Sequence, residues 1–323
     1  MRYNMDMSEE VLEDIKDKNI IRSGHLDVGD GHEIYWVDWG NGDIKEPIFY
    51  LHGGPGGGFG DKDFLNFDPK KHRVVFHDQR GSSRSTPFAS TENNTTKDLI
   101  SDIDKLKKEL GFRKVSLYGF SWGSTLALLY AIANPDQVKK MLIGGIYLGR
   151  TADREFYLNG KVSTHFPEAW ERFAANAPDT DDKNVSDYFK EKMLQNPNTD
   201  EKKKFAREWM IFESSLLKLD YVPESVEREL KDFASESLAY LEAHYILNNS
   251  FIDENYILDN VHKINKIPTI IVHGRYDFIC TPSGAYALKN AMGDDTILHF
   301  VTSGHSRGDI VQREVVKAYL NYF

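Results

Sequence analysis

The chain is 323 residues long, 40% hydrophobic and 28% charged, which is ample for a buried core and typical of a globular protein of one large or two modest domains. Its net charge of −10, from 50 acidic and 40 basic side chains, argues against nucleic acid as a partner, since binding phosphates needs an excess of Lys and Arg. A single cysteine, Cys280, excludes an intramolecular disulfide and any cysteine-based zinc site.

Met1 to Ile20 mixes acids, bases and apolar residues without the apolar stretch of a secretory leader. No run of about 18 apolar residues occurs anywhere, so no membrane span is expected. A reducing cytoplasm is the expected location. The acidity is uneven: Thr151 to Asn255 holds 13 basic and 22 acidic side chains, nearly the whole imbalance. That is a solvated helical surface or a field that attracts cationic ligands.

Strand-length apolar runs come first. His32–Trp39, Pro47–Leu51, Arg73–His77, Lys114–Tyr118 and Val138–Ile143 are bounded by Gly, Pro or Asp turn signals. Thr95–Leu110 spaces Leu99, Ile103, Leu106 and Leu110 as one helical face, and Trp122–Ala133 is apolar all round, as in a helix buried against a sheet. Such alternation predicts an α/β fold with a mainly parallel sheet covered on both faces. From about residue 150 to 260 strands vanish, and aromatics and charges recur at helical spacing, broken at Pro167, Pro178, Pro197 and Pro223. Strands return at Pro268–His273 and Thr296–Val301, and Ile310–Phe323 closes as a helix with Val311, Val315 and Tyr319 on one face. The expected organisation is a core of residues 1–149 and 261–323 split by a helical cap at 150–260. No repeat or heptad array is present.

Gly119-Phe120-Ser121-Trp122-Gly123 fits G-x-S-x-G between a strand and a buried helix, the setting of a nucleophile elbow. A serine nucleophile needs a base, and the base needs an orienting carboxylate. Asp277 and His305 each follow a strand by four residues, in the order Ser, Asp, His that this architecture uses. His52–Gly58 (HGGPGGG) directly follows the strand Pro47–Leu51. It lacks the Lys-Ser/Thr of a phosphate loop and reads better as an oxyanion hole, with the backbone N–H groups of Gly54 and Trp122 as donors, each worth about 3–4 kcal/mol in a transition state. His52, His77 and His273 sit at strand ends, but no HExxH or comparable spacing occurs, so no metal site is expected.

Together these segments resemble the proline iminopeptidases, serine peptidases of the α/β-hydrolase fold. The likeness runs from about residue 20 to the C-terminus and is closest at His52–Gly58, Asp78–Ser85 (DQRGSSRS), Ser121–Ser124 (SWGS), Pro167–Arg172 (PEAWER) and His273–Asp277 (HGRYD). The resemblance implies release of N-terminal proline from short peptides without a cofactor, with Ser121 attacking, His305 moving the proton and Asp277 orienting the imidazole. It further implies that Glu213 and Glu242 read the cationic amino terminus, that Tyr147 and Tyr157 line a proline pocket, and that Cys280 lies beside it. Tyr147 and Tyr157 read equally as core aromatics.

Three positions depart from the family pattern: Phe120 and Gly144 stand where Gly and Arg are common, and Tyr147 where Phe is. A broader aminopeptidase therefore stays open, as does an esterase or lactonase on the same fold. A catalytically silent receptor is the non-enzymatic alternative.

Overall fold

The computed structural model describes residues 16–323 except 179, 182, 183, 197, 220, 221, 231–235 and 307. The expected break at Pro197 and most of the stretch examined for a leader lie outside the described residues. Eight strands form one sheet in the order β1-β2-β4-β3-β5-β6-β7-β8. They are β1 (Ile20–Gly29), β2 (His32–Gly40), β3 (Ile48–Leu51), β4 (Arg73–His77), β5 (Val115–Phe120), β6 (Val138–Gly144), β7 (Thr269–Gly274) and β8 (Ile297–Val301). The pairs β1·β2 and β2·β4 are antiparallel and all later neighbours are parallel. Every residue of β3, β4 and β5 is buried, which is why these strands read as continuous apolar runs rather than alternating ones.

The helices are α1 (Asp61–Phe64), α2 (Thr96–Glu109), α3 (Trp122–Ala133), α4 (Thr151–Leu158), α5 (Pro167–Ala174), α6 (Val185–Lys190), α7 (Thr199–Leu217), α8 (Pro223–Glu229), α9 (Glu236–Ile246), α10 (Tyr256–Asn260), α11 (Pro282–Met292) and α12 (Ile310–Leu320). Leu99, Ile103 and Leu106 of α2 and the whole apolar length of α3 from Trp122 to Ile132 are buried in one cluster with Phe49, Leu117 and Ile271 of the sheet. The other face packs Trp39, Tyr50, Phe76 and Leu142 against Val316 and Leu320 of α12. Among the described residues, the segment between β6 and β7 contains helices and no strand, and it has its own aromatic core. There Phe173 stacks on Phe189 and Phe212 with ring centres 4.1 and 4.3 Å apart. Pro167 and Pro223 open α5 and α8, where a missing N–H costs nothing. No helix among the described residues is long and apolar enough to cross a membrane.

Two features differ from the sequence reading. β1 carried no strand signal, because only one of its ten residues is buried and its charges serve an edge; Arg22, for example, pairs with Asp38 at 2.9 Å. The closing helix exists, and Val315 and Tyr319 pack part-buried against the core, but its fully buried positions are Gln312, Val316 and Leu320, and Val311 is exposed. The buried Gln312 accepts a 2.6 Å hydrogen bond at Oε1 from Ser303, a partner outside the helix that its periodicity cannot reveal, while its Nε2 has no partner among the described residues.

Candidate active site

The carboxyl ends of β3, β5, β7 and β8 meet along one edge of the sheet, the place where open α/β sheets bind ligands. At the end of β5 the chain reverses so sharply that Ser121 takes φ 56° and ψ −128°. A Cβ on Gly119 would lie 2.2 Å from the Gly123 carbonyl oxygen, and one on Gly123 would lie 2.0 Å from that of Leu51. Only glycine fits on either side of the serine, which is the steric content of G-x-S-x-G.

Ser121 Oγ lies 2.9 Å from His305 Nε2, and His305 Nδ1 lies 2.7 Å from Asp277 Oδ2. The other Asp277 oxygen accepts the backbone N–H groups of Ile279 and Cys280 at 3.0 and 2.8 Å, so the carboxylate cannot rotate away. Burial, the largest single influence, pulls the His305 imidazole down. The Asp277 charge, the hydrogen bond to it and the Glu213 charge outweigh that and hold His305 above its ordinary 6.5. Neighbouring His273 is held below 6.5, chiefly by burial, and spends its ring on the backbone, with contacts to Ile146 N at 3.0 Å and Cys280 O at 2.9 Å.

Beside Ser121 the loop after β3 brings up Gly54, and the first residue of α3 is Trp122. Among the described residues neither backbone N–H has a protein acceptor. Gly54 and Gly56 lie against Ser237, Leu238 and Leu241, so α9 sits directly on this loop.

A cavity joins Ser121, Gly54 and Trp122 to side chains of the helical segment. Glu213 of α7 and Glu242 of α9 both line it, with Tyr147, Tyr157 and Cys280. Tyr157 donates its hydroxyl to Glu213 at 3.0 Å, and the Trp209 indole donates to Glu242 at 3.0 Å. Burial first, then the Glu213 charge and a hydrogen bond with Glu213, push the Glu242 carboxyl well above the usual carboxylate range, against a downward pull from Trp209. Glu242 is thereby biased toward its neutral, protonated form beside Glu213. Tyr157 is also stacked on Phe212, with ring centres 5.7 Å apart, so it belongs to cavity and core alike. Tyr147 reaches Ser250 at 3.4 Å. Burial, followed by the Asp277 and Asp153 charges, holds the Cys280 thiol well above its ordinary value despite a hydrogen bond with Ser121.

Residues 46–307 match the family model of the alpha/beta hydrolase fold. A proline iminopeptidase of Neisseria meningitidis is 39% identical over 296 residues, covering 90% of this chain and 93% of that protein. One from Arabidopsis thaliana is 36% identical over 307 residues, covering 92% and 80%. The chain belongs to the proline iminopeptidase family. Among solved structures, a Mycobacterium smegmatis proline iminopeptidase superposes with a TM-score of 0.60 at 17% identity, covering 93% of this chain and 98% of that one.

Against that family pattern the Phe120–Gly144 exchange has a steric logic. The buried Phe120 ring lies 5.1 Å from the His305 ring, and a Cβ on Gly144 would fall 3.1 Å from it and 2.2 Å from the Val272 carbonyl oxygen. The Val272 carbonyl alone excludes a Cβ at Gly144 in this backbone, and the Phe120 ring fills the space beside it. Two polar side chains around the site escaped the sequence reading. Trp209 lies one helical turn before Glu213, and that i, i+4 spacing was an available signal. Gln79 sits in the DQRGSSRS segment, and nothing local marks what it holds.

Proposed function

We propose that this chain is a serine aminopeptidase that releases N-terminal proline from short peptides through an acyl-enzyme. The observation that carries the reading is the Glu213–Glu242 pair facing the same cavity as Ser121. An esterase has no use for two carboxyls there, whereas an exopeptidase must recognise a cationic amine, and charge-assisted hydrogen bonds do so. Ser121 attacks the carbonyl carbon of the first residue while His305 takes its proton. The carbonyl oxygen becomes an oxyanion held by the N–H groups of Gly54 and Trp122. His305 then gives the proton to the departing amine, and a water molecule, deprotonated by the same imidazole, releases proline from Ser121. Tyr147 and Tyr157 flank the proline ring, with Cys280 beside it. No step calls for a cofactor. The helical segment 150–260 acts as a cap that admits short peptides and excludes folded proteins. The acidic balance and the lone, buried Cys280 suit a cytoplasmic enzyme.

The test is a substrate panel: p-nitroanilides of proline, alanine and leucine, N-blocked proline p-nitroanilide, and p-nitrophenyl acetate. Fast turnover of free proline p-nitroanilide alone supports the full reading. Equal turnover of all free aminoacyl substrates discards the proline pocket, and cleavage of the ester alone overturns the roles of Glu213 and Glu242.

The pH profile gives a second expectation. His305 must be neutral to act as base, so kcat/KM falls as pH drops through its pKa. Because that pKa is raised, the acid limb lies above 6.5. Asp277→Asn removes the strongest upward influence, so the limb should move to lower pH while kcat falls by about 10⁴-fold. An unmoved limb would show that a different group titrates.

A further inference from the structure

We infer that Gln79 is a positioning residue for the oxyanion hole, tying its two halves together with one buried amide; the inference rests on the oxyanion roles proposed above for Gly54 and Trp122. Gln79 is 3% exposed, lies just after β4 and does not line the cavity at Ser121. Its Oε1 accepts the Trp122 indole N–H at 3.0 Å, and its Nε2 donates to the His52 carbonyl oxygen at 3.0 Å. An indole N–H only donates and a carbonyl only accepts, so the amide has a single workable orientation. Its backbone N–H adds a third bond, donating to His52 Nε2 at 2.9 Å.

That third bond settles the state of His52. An Nε2 that accepts carries no proton, and burial, the largest influence, holds His52 below its ordinary value, so the ring is neutral with its proton on Nδ1. The Gly58 N–H also lies 3.2 Å from Nδ1, but the Gly53 carbonyl oxygen is nearer, at 2.8 Å, and can only accept, so Nδ1 donates to it; that oxygen also accepts the Gly57 N–H at 3.2 Å. Among the described residues the Gly53–Gly54 bond is not one of the cis peptides, so the Gly54 N–H points opposite to the carbonyl these donors grip. Holding the oxygen side of this peptide plane therefore aims its N–H side. The same Gln79 amide holds the indole of Trp122, whose backbone supplies the other donor. One side chain thus sets the separation of two N–H groups that come from the loop after β3 and from the start of α3, and the device stabilises an oxyanion without touching it.

A brace of this kind should matter to the tetrahedral state and not to ground-state binding. Gln79→Met keeps length and volume but breaks both amide bonds. We expect it to lower kcat on proline p-nitroanilide about 10- to 100-fold. KM and the affinity for free proline should stay within about threefold, and a prolyl boronic acid, which becomes tetrahedral on Ser121, should weaken in step with kcat/KM. Trp122→Phe, which deletes the indole N–H and leaves the backbone N–H, should do the same to a smaller extent and decides the matter if Gln79→Met does not fold. Unchanged kcat in the folded variants, or equal losses in free-proline and boronate affinity, would overturn the inference. Failure of the wild-type protein to turn over proline p-nitroanilide would instead overturn the proposed function.

Discussion

Replacing Ser121 with alanine should lower kcat on proline p-nitroanilide by about 10⁴- to 10⁶-fold. Loss on that scale follows from what remains. The His305–Asp277 pair, the Gly54 and Trp122 N–H groups and the Glu213–Glu242 pair are all intact, but the bond-forming oxygen is gone, and water would have to occupy its place without being held there. The substitution removes a single atom from a backbone that glycines on both sides already force into φ 56°. Thermal stability and the affinity for free proline should therefore change little. A fluorophosphonate probe should label the wild type at Ser121 and leave Ser121→Ala unlabelled. Residual turnover within tenfold of wild type, or equal labelling of the two proteins, would mean that another nucleophile acts. No labelling of the wild type would favour the silent-receptor alternative.

How much of this was legible before folding depends on how local each signal is. The elbow is local, because Gly119 and Gly123 are dictated by contacts within one turn and with the adjacent strand, so the motif and its setting coincide. Asp277 and His305 were legible through their place after β7 and β8, even though the pair that meets is 28 residues apart in the chain. β1 was hidden because an edge strand need not alternate, and the buried face of α12 was misplaced because its Gln312 is stabilised from outside the helix. The proposed amine site was least legible: two acids out of 22 between Thr151 and Asn255 could be singled out only by family resemblance, since α7 and α9 are brought together by tertiary packing. Gln79 is similar, with partners 27 and 43 residues away and no periodicity linking them.

The second large effect is expected at the carboxyl pair. Glu213→Gln keeps the shape and still accepts from Tyr157, but it removes the negative charge that faces the incoming amine. Losing one partner of a buried charge pair costs about 3 kcal/mol, or roughly 10²-fold in kcat/KM for free prolyl substrates. The loss on p-nitrophenyl acetate, which has no amine, should be at least about tenfold smaller. Glu242→Gln should be the milder change in the free enzyme, because Glu242 is the carboxyl that burial and Glu213 already hold protonated. Its role begins when the cation arrives. A positive charge favours the ionised carboxyl, so binding lowers the raised pKa of Glu242 and expels its proton to solvent. Calorimetric titration with proline in two buffers of different ionisation enthalpy should thus record proton release by the wild type and none by Glu242→Gln. If Glu213→Gln slowed ester and amide substrates alike, or if binding released no proton from the wild type, the pair would be a structural element of the cap and the amine would be read elsewhere.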